Sequence, residues 1–81
     1  MITHNQVASF YLDLGIMGNQ YVLVIYDWID GEEAKGLDEF DLPIIRNIVF
    51  RKDRKKIYDI TEMVTDKSKA AIRAVIRDKA H

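Results

Sequence analysis

The chain has 81 residues, 48% apolar and 31% charged, with a net charge of −1 and no cysteine. That composition excludes a disordered chain, a disulfide scaffold and thiolate chemistry, and it suits one small domain over residues 1–81 in a reducing cytoplasm. The near-zero total conceals two fields, since residues 1–45 carry eight acids against one base and residues 46–81 carry eleven bases against five acids. Separated charge of this kind implies a partner for at least one half.

Taken in chain order, Ala8–Met17 and Gln20–Ile29 flank Gly18-Asn19, a dipeptide suited to a two-residue hairpin turn. That register sets Met17 opposite Gln20, Ile16 opposite Tyr21, Leu14 opposite Leu23 and Leu12 opposite Ile25, with Ala8 and Phe10 on the same buried face. Tyr11, Val22, Val24, Tyr26 and Trp28 then share the other face, which one covering helix leaves open. A competing reading makes residues 4–14 a helix, capped by Thr3 and Gln6, striped by Val7, Phe10, Tyr11 and Leu14, and stopped at Gly15. The strand is preferred. The longest apolar run, Tyr21–Tyr26, is too short to cross a bilayer, and Met1–Gln6 lacks the pattern of a secretion signal, so a soluble intracellular protein is expected.

Residues 30–43 hold Gly31, Gly36, Pro43 and a cluster of acids, and read as a long loop with one helical turn near Glu32–Lys35. Ile44–Arg51 and Lys56–Thr61 form a second hairpin around residues 52–55, with Phe50 opposite Ile57 and Val49 opposite Tyr58. From Thr65 or Asp66 the period becomes helical: Ala71, Ile72, Val75 and Ile76 make the apolar stripe, and Lys69, Arg73 and Arg77 recur on the other side. The expected fold is α+β, a four-stranded mainly antiparallel sheet of two β-hairpins with the C-terminal amphipathic helix packed on one face. Ile72, Val75 and Ile76 should meet Leu12, Leu14, Leu23, Ile25, Ile48, Phe50 and Ile57.

Catalytic and cofactor chemistry finds little support. His4 and His81 lie near the two ends of the sequence, Ser9 and Ser68 have no histidine set beside them by any motif, and the four glycines match no phosphate-binding pattern. Asp27-Trp-Ile-Asp30-Gly-Glu32-Glu33 lacks the alternate-residue spacing of a calcium loop. No catalytic residue, metal or cofactor is therefore assigned. The expected function is a noncatalytic protein-binding or inhibitory module. It would act through the acidic residues Asp30, Glu32, Glu33, Asp38, Glu39 and Asp41, through Phe40 among them, and through an aromatic face of Tyr11, Tyr26 and Trp28. The same face suits a homodimer. The alternative is a nucleic-acid-associated protein in which Arg51, Lys52, Arg54, Lys55 and Lys56 on the hairpin tip and Lys69, Arg73 and Arg77 on the helix follow a phosphate backbone, with Tyr58 stacking on a base.

The run from Ile44 to Val64, with Asp59-Ile60-Thr61 closing its second strand and a helix at Asp66–Lys79, resembles the tail of many small phage or prophage proteins. The resemblance covers about half of the chain. It implies an accessory or inhibitory binding role and transfers no site residue.

Overall fold

A computed structural model describes residues 1–13, 15, 18–38, 41–51 and 56–80, the side chain of Ala80 excepted. Four strands, β1 (Ile2–Asp13), β2 (Asn19–Ile29), β3 (Ile44–Arg51) and β4 (Ile57–Asp59), form an antiparallel sheet in the order β1-β2-β3-β4. One helix, α1 (Asp66–Ala80), closes the chain. The α+β architecture expected from the sequence is the one observed, and residues 2–13 are strand rather than helix. Among the described residues no helix is long and apolar enough to cross a membrane.

The first hairpin differs from the expected one in its turn. Asp13 pairs with Asn19, Tyr11 with Tyr21, Phe10 with Val22 and Ala8 with Val24. Asn19 is thus the first residue of β2, and five residues, 14–18, make the connection. Gly15 and Gly18 both take positive φ, the Gly15 N–H donates to Asp13 Oδ1, and the Gly18 N–H donates to the Gly15 carbonyl. These bonds and the freedom of glycine at positive φ favour the longer loop over a Gly-Asn turn. The change in register is odd, so every side chain of β2 is turned to the face opposite the expected one.

Val22, Val24 and Tyr26 therefore point inward. They form the core with Ile48, Phe50, Ile60, Val64, Ile72 and Ile76, and Ala8, Phe10, Leu12, Trp28 and Ile45 pack at its margin. Leu23 and Ile25, expected inside, lie on the outer face of the sheet, and Leu14 is outside the described residues. In the second hairpin Phe50 pairs with Tyr58 and Val49 with Asp59, a shift of one residue that leaves Ile57 exposed.

Helix α1 begins where Thr65 Oγ1 accepts the Ser68 N–H at 3.1 Å, with Asp66 in the first turn against the positive end of the dipole. Its buried stripe is Ile72 and Ile76, while Ala71 and Val75 are exposed and Lys69, Arg73 and Arg77 are half-buried. The helix is rotated from the expected stripe toward its cations, whose long methylene stems cover apolar surface. Before it, the Asp59-Ile60-Thr61 element ties β4 to β3. Thr61 Oγ1 accepts the Ile48 N–H at 2.8 Å, Ile60 N–H donates to the Ile48 carbonyl at 2.8 Å, and Asp59 Oδ1 accepts the Thr61 N–H at 2.9 Å.

Ile48 has no exposed surface, and Ile48→Ala is expected to cost about 2–5 kcal/mol in chemical denaturation. Ile57→Ala, at a side chain 61% exposed, should cost about 1 kcal/mol or less. Equal costs would contradict the observed pairing of β3 with β4.

Candidate functional site

Alternation along the strands leaves one set of side chains with no helix over it. On β1 and β2 the facing pairs are Val7 with Ile25, Ser9 with Leu23 and Tyr11 with Tyr21. Across β3 and β4 the rows continue as Leu23 with Val49, Ile25 with Asn47, Val49 with Asp59 and Arg51 with Ile57. No described element lies across this face: Tyr11 is 77% exposed, Val7 60% and Tyr21 50%, with Leu23, Ile25 and Val49 half-buried among them. The Tyr11 and Tyr21 rings meet edge to face with centroids 5.2 Å apart, a favourable cross-strand arrangement. The result is an apolar, aromatic surface on a rigid support.

Asp27 lies at one end of this face. Two irregularities in the strands converge on it. In β1, Thr3 pairs with Trp28 and Gln6 with Tyr26, so His4 and Asn5 together stand opposite Asp27. In β3, Asn47 pairs with Ile25 and Ile45 with Tyr26, so Arg46 is an extra residue between those levels, within reach of Asp27. Asn5, at φ 56°, donates its backbone N–H to Asp27 Oδ1 at 3.1 Å, and Arg46 Nη1 donates to Oδ2 at 3.1 Å. His4 Nδ1 stands 3.3 Å from the same Oδ2. The Asp27 side chain is only 6% exposed, whereas those of His4 and Arg46 are open to solvent. The Asn5 N–H, then His4 and the Arg46 charge, hold the Asp27 carboxyl below its ordinary value of 3.8, outweighing burial. On the β4 side, Asn47 Nδ2 donates to Asp59 Oδ2 at 2.8 Å, and Thr61 and Asn47 hold the Asp59 carboxyl low as well.

The residues expected at the site fall in several places. Tyr11 is on the open face, but Tyr26 is buried in the core and Trp28 packs at its margin, so the three do not share a surface. The reversed side of β2 is the cause. Asp30, Glu32, Glu33, Asp38 and Asp41 are exposed on the segment that joins β2 to β3, with Gly31–Ala34 as a short 3₁₀ turn and Glu32 paired to Lys35 at 3.1 Å. Glu39 and Phe40 lie outside the described residues, as do Lys52, Arg54 and Lys55. Arg51 and Lys56 are exposed at the opposite end of the sheet from the acids. Lys69, Arg73 and Arg77 form no outer stripe: all three are half-buried, and Arg77 Nη1 donates to the Leu42 carbonyl at 2.6 Å. Sequence reasoning missed Val7, Tyr21, Leu23, Ile25 and Val49 as a surface, and it missed the union of His4, Asp27 and Arg46. The one sequence signal for the latter is an aspartate ending the apolar run Tyr21–Tyr26.

Among the described residues no three histidine or acidic side chains converge as a metal centre requires. No protein-family model matches the chain, and no curated protein or solved structure is significantly similar to it.

The depressed Asp27 carboxyl fixes the sign of a pH effect. Its contribution to stability is complete above 3.8 and is lost as pH falls through the lower folded-state value. Asp27→Asn is expected to be less stable than the wild type at about pH 7, with the gap narrowing toward about pH 3, in urea titrations at both values. A gap independent of pH would contradict the depressed carboxyl.

Proposed function

We propose that the chain is a noncatalytic protein-binding module of accessory or inhibitory type, acting in the cytoplasm. It docks through the uncovered face of its sheet, and the acidic segment at one end of the face orients the partner. The observation that carries this reading is the exposure of the Tyr11–Tyr21 pair and Val7 on a face with no described covering element. Contiguous exposed apolar surface on a sheet marks an interaction site, and aromatic side chains on a rigid support contribute most of the binding energy at such surfaces. The acids add long-range attraction and orientation rather than affinity. The likeness of the C-terminal half to small phage accessory proteins points the same way.

Two features favour this over nucleic-acid binding. The helix cations lie beside the buried stripe, with Arg77 committed to a backbone carbonyl, and the open face carries tyrosines and aliphatics rather than a track of cations. Asp27 has its carboxylate oxygens occupied by Asn5, His4 and Arg46, an arrangement that holds the strands in place and supports a structural role for this acid.

Tyr11→Ser combined with Tyr21→Ser should leave the fold intact by circular dichroism, because both side chains are at least half exposed. The double variant is expected to lose at least about tenfold in affinity for any protein that the wild type binds. Retention of the same partners at the same affinity would refute docking through this face. Salt-sensitive binding of duplex or single-stranded nucleic acid, lost in Arg51→Glu/Lys56→Glu, would support the alternative instead.

A further inference from the structure

We infer that the occupant of the uncovered face is a second copy of this chain, packed with its strands reversed so that the acidic end of each copy lies over the basic end of the other. The inference rests on the docking reading above and names its partner.

The pairing of the strands sets the geometry. β2 ends at Ile29 and β3 begins at Ile44, so Asp30, Glu32, Glu33, Asp38 and Asp41 lie at one end of the sheet. Arg51 and Lys56 lie at the other, where Asp13 meets Asn19. Leu12, Asp13 and Gly15 line one cleft with Thr65 and Ser68, which brings the start of α1, with Lys67, to this second end as well. The eleven residues of β2 span about 35 Å, several times the Debye length of ~8 Å at physiological salt. The two ends are therefore too far apart to neutralise each other across the sheet.

An isologous contact between two identical faces has its two-fold axis in the plane of contact. With the axis along the strands, acidic end meets acidic end and basic meets basic. With the axis across the strands, each acidic end meets a basic one. Charge selects the second arrangement. If the axis passes the middle of β2, at the level of Val24, the level of Tyr21 in one copy coincides with that of Asp27 in the other. The Tyr11–Tyr21 pair then falls over the corner formed by His4, Asp27 and Arg46, where a guanidinium has a favourable contact with an aromatic face. Size gives a further constraint. Strands of twelve, eleven, eight and three residues at ~3.3 Å per residue and ~4.8 Å spacing offer about 500 Å² per copy, against the ~800 Å² of a stable interface. The apolar face falls short alone, so the charged ends must join the contact, and association must weaken with salt.

Sedimentation equilibrium tests this. The wild type is expected to be dimeric at about 100 μM, a hundredfold above a micromolar dissociation constant, and to dissociate as salt is raised. Glu32→Lys/Asp38→Lys/Asp41→Lys makes both ends basic, and Arg51→Glu/Lys56→Glu neutralises the second end, leaving three acids against three bases over residues 51–56. Each variant should be monomeric alone, and an equimolar mixture should restore the dimer. Tyr11→Ser, or Val7→Ser if the tyrosine variant does not fold, should weaken the wild-type dimer at least about tenfold. A monomeric wild type overturns the second copy as partner and leaves docking through this face standing. Charge-reversed variants that each remain dimeric overturn the reversed packing. A wild-type dimer indifferent to substitution of Tyr11, Tyr21 and Val7 overturns both this inference and the docking reading.

Discussion

The register between β1 and β2 governs everything else in this fold. Both alternating sets of β2 side chains are apolar, Val22, Val24 and Tyr26 on one side and Tyr21, Leu23 and Ile25 on the other, so hydrophobic burial alone barely distinguishes them. The register is pinned at two points instead. At one end the loop through Gly15 and Gly18 closes on its own hydrogen bonds. At the other, Asp27 holds the Asn5 N–H and the Arg46 guanidinium. Slipping β2 by one residue would turn Asp27 toward the helix, a buried carboxylate without partners, which is among the most destabilising changes a small core can suffer. A single polar residue thus decides between two apolar faces.

The same lock shapes the charge distribution. The two strand irregularities beside Asp27 are extra residues in β1 and β3, and each adds twist where the sheet meets the acidic segment. Arg77, donating to the Leu42 carbonyl, fastens the late part of α1 to this end, so some positive charge stays near the acids. Arg51 and Lys56 lie at the far end, where β3 meets β4. A molecule 40 Å long and little more than 20 Å across keeps these fields apart, which gives its open face a direction as well as a surface.

Much of the architecture was legible in the residues. Strand, strand, strand, strand and helix follow from β-rich runs separated by glycine, proline and acidic stretches, and the change of period after Thr65 marks the helix correctly. Faces were harder to read. Gly18-Asn19 is a strong turn signal, but Gly15 three residues earlier supplies a second positive φ, and the two together favour a five-residue loop that a dipeptide rule does not anticipate. In the helix, Ala71 and Val75 look more apolar than Lys69 and Arg73, yet the cations are the more buried because their stems are long. The Asp27 cluster was hidden for another reason. Its members are far apart in sequence, and only two local irregularities, invisible to periodicity, bring His4 and Arg46 to one carboxylate.

Strand β2 also says what kind of surface the open face is. In an antiparallel sheet with one face solvated, strands alternate apolar and polar residues, whereas strands covered on both faces read as continuous apolar runs. β1 partly follows the first rule, with Ser9 and Asp13 among its outward residues, and β4 places Asp59 outward. β2 follows the second, from Tyr21 to Tyr26 without a polar residue, and β3 extends it with Val49 opposite Leu23. The composition of the central strand is therefore that of a strand with two covers, and the described chain provides one. The strip formed by Leu23, Ile25 and Val49 is half-buried only through its own neighbours, and the tyrosine pair stands above it. Burying that strip needs a flat, rigid counterpart at least as long as β2. A copy of the same sheet has that length, the same apolar strip and the opposite order of charge when it is turned end for end.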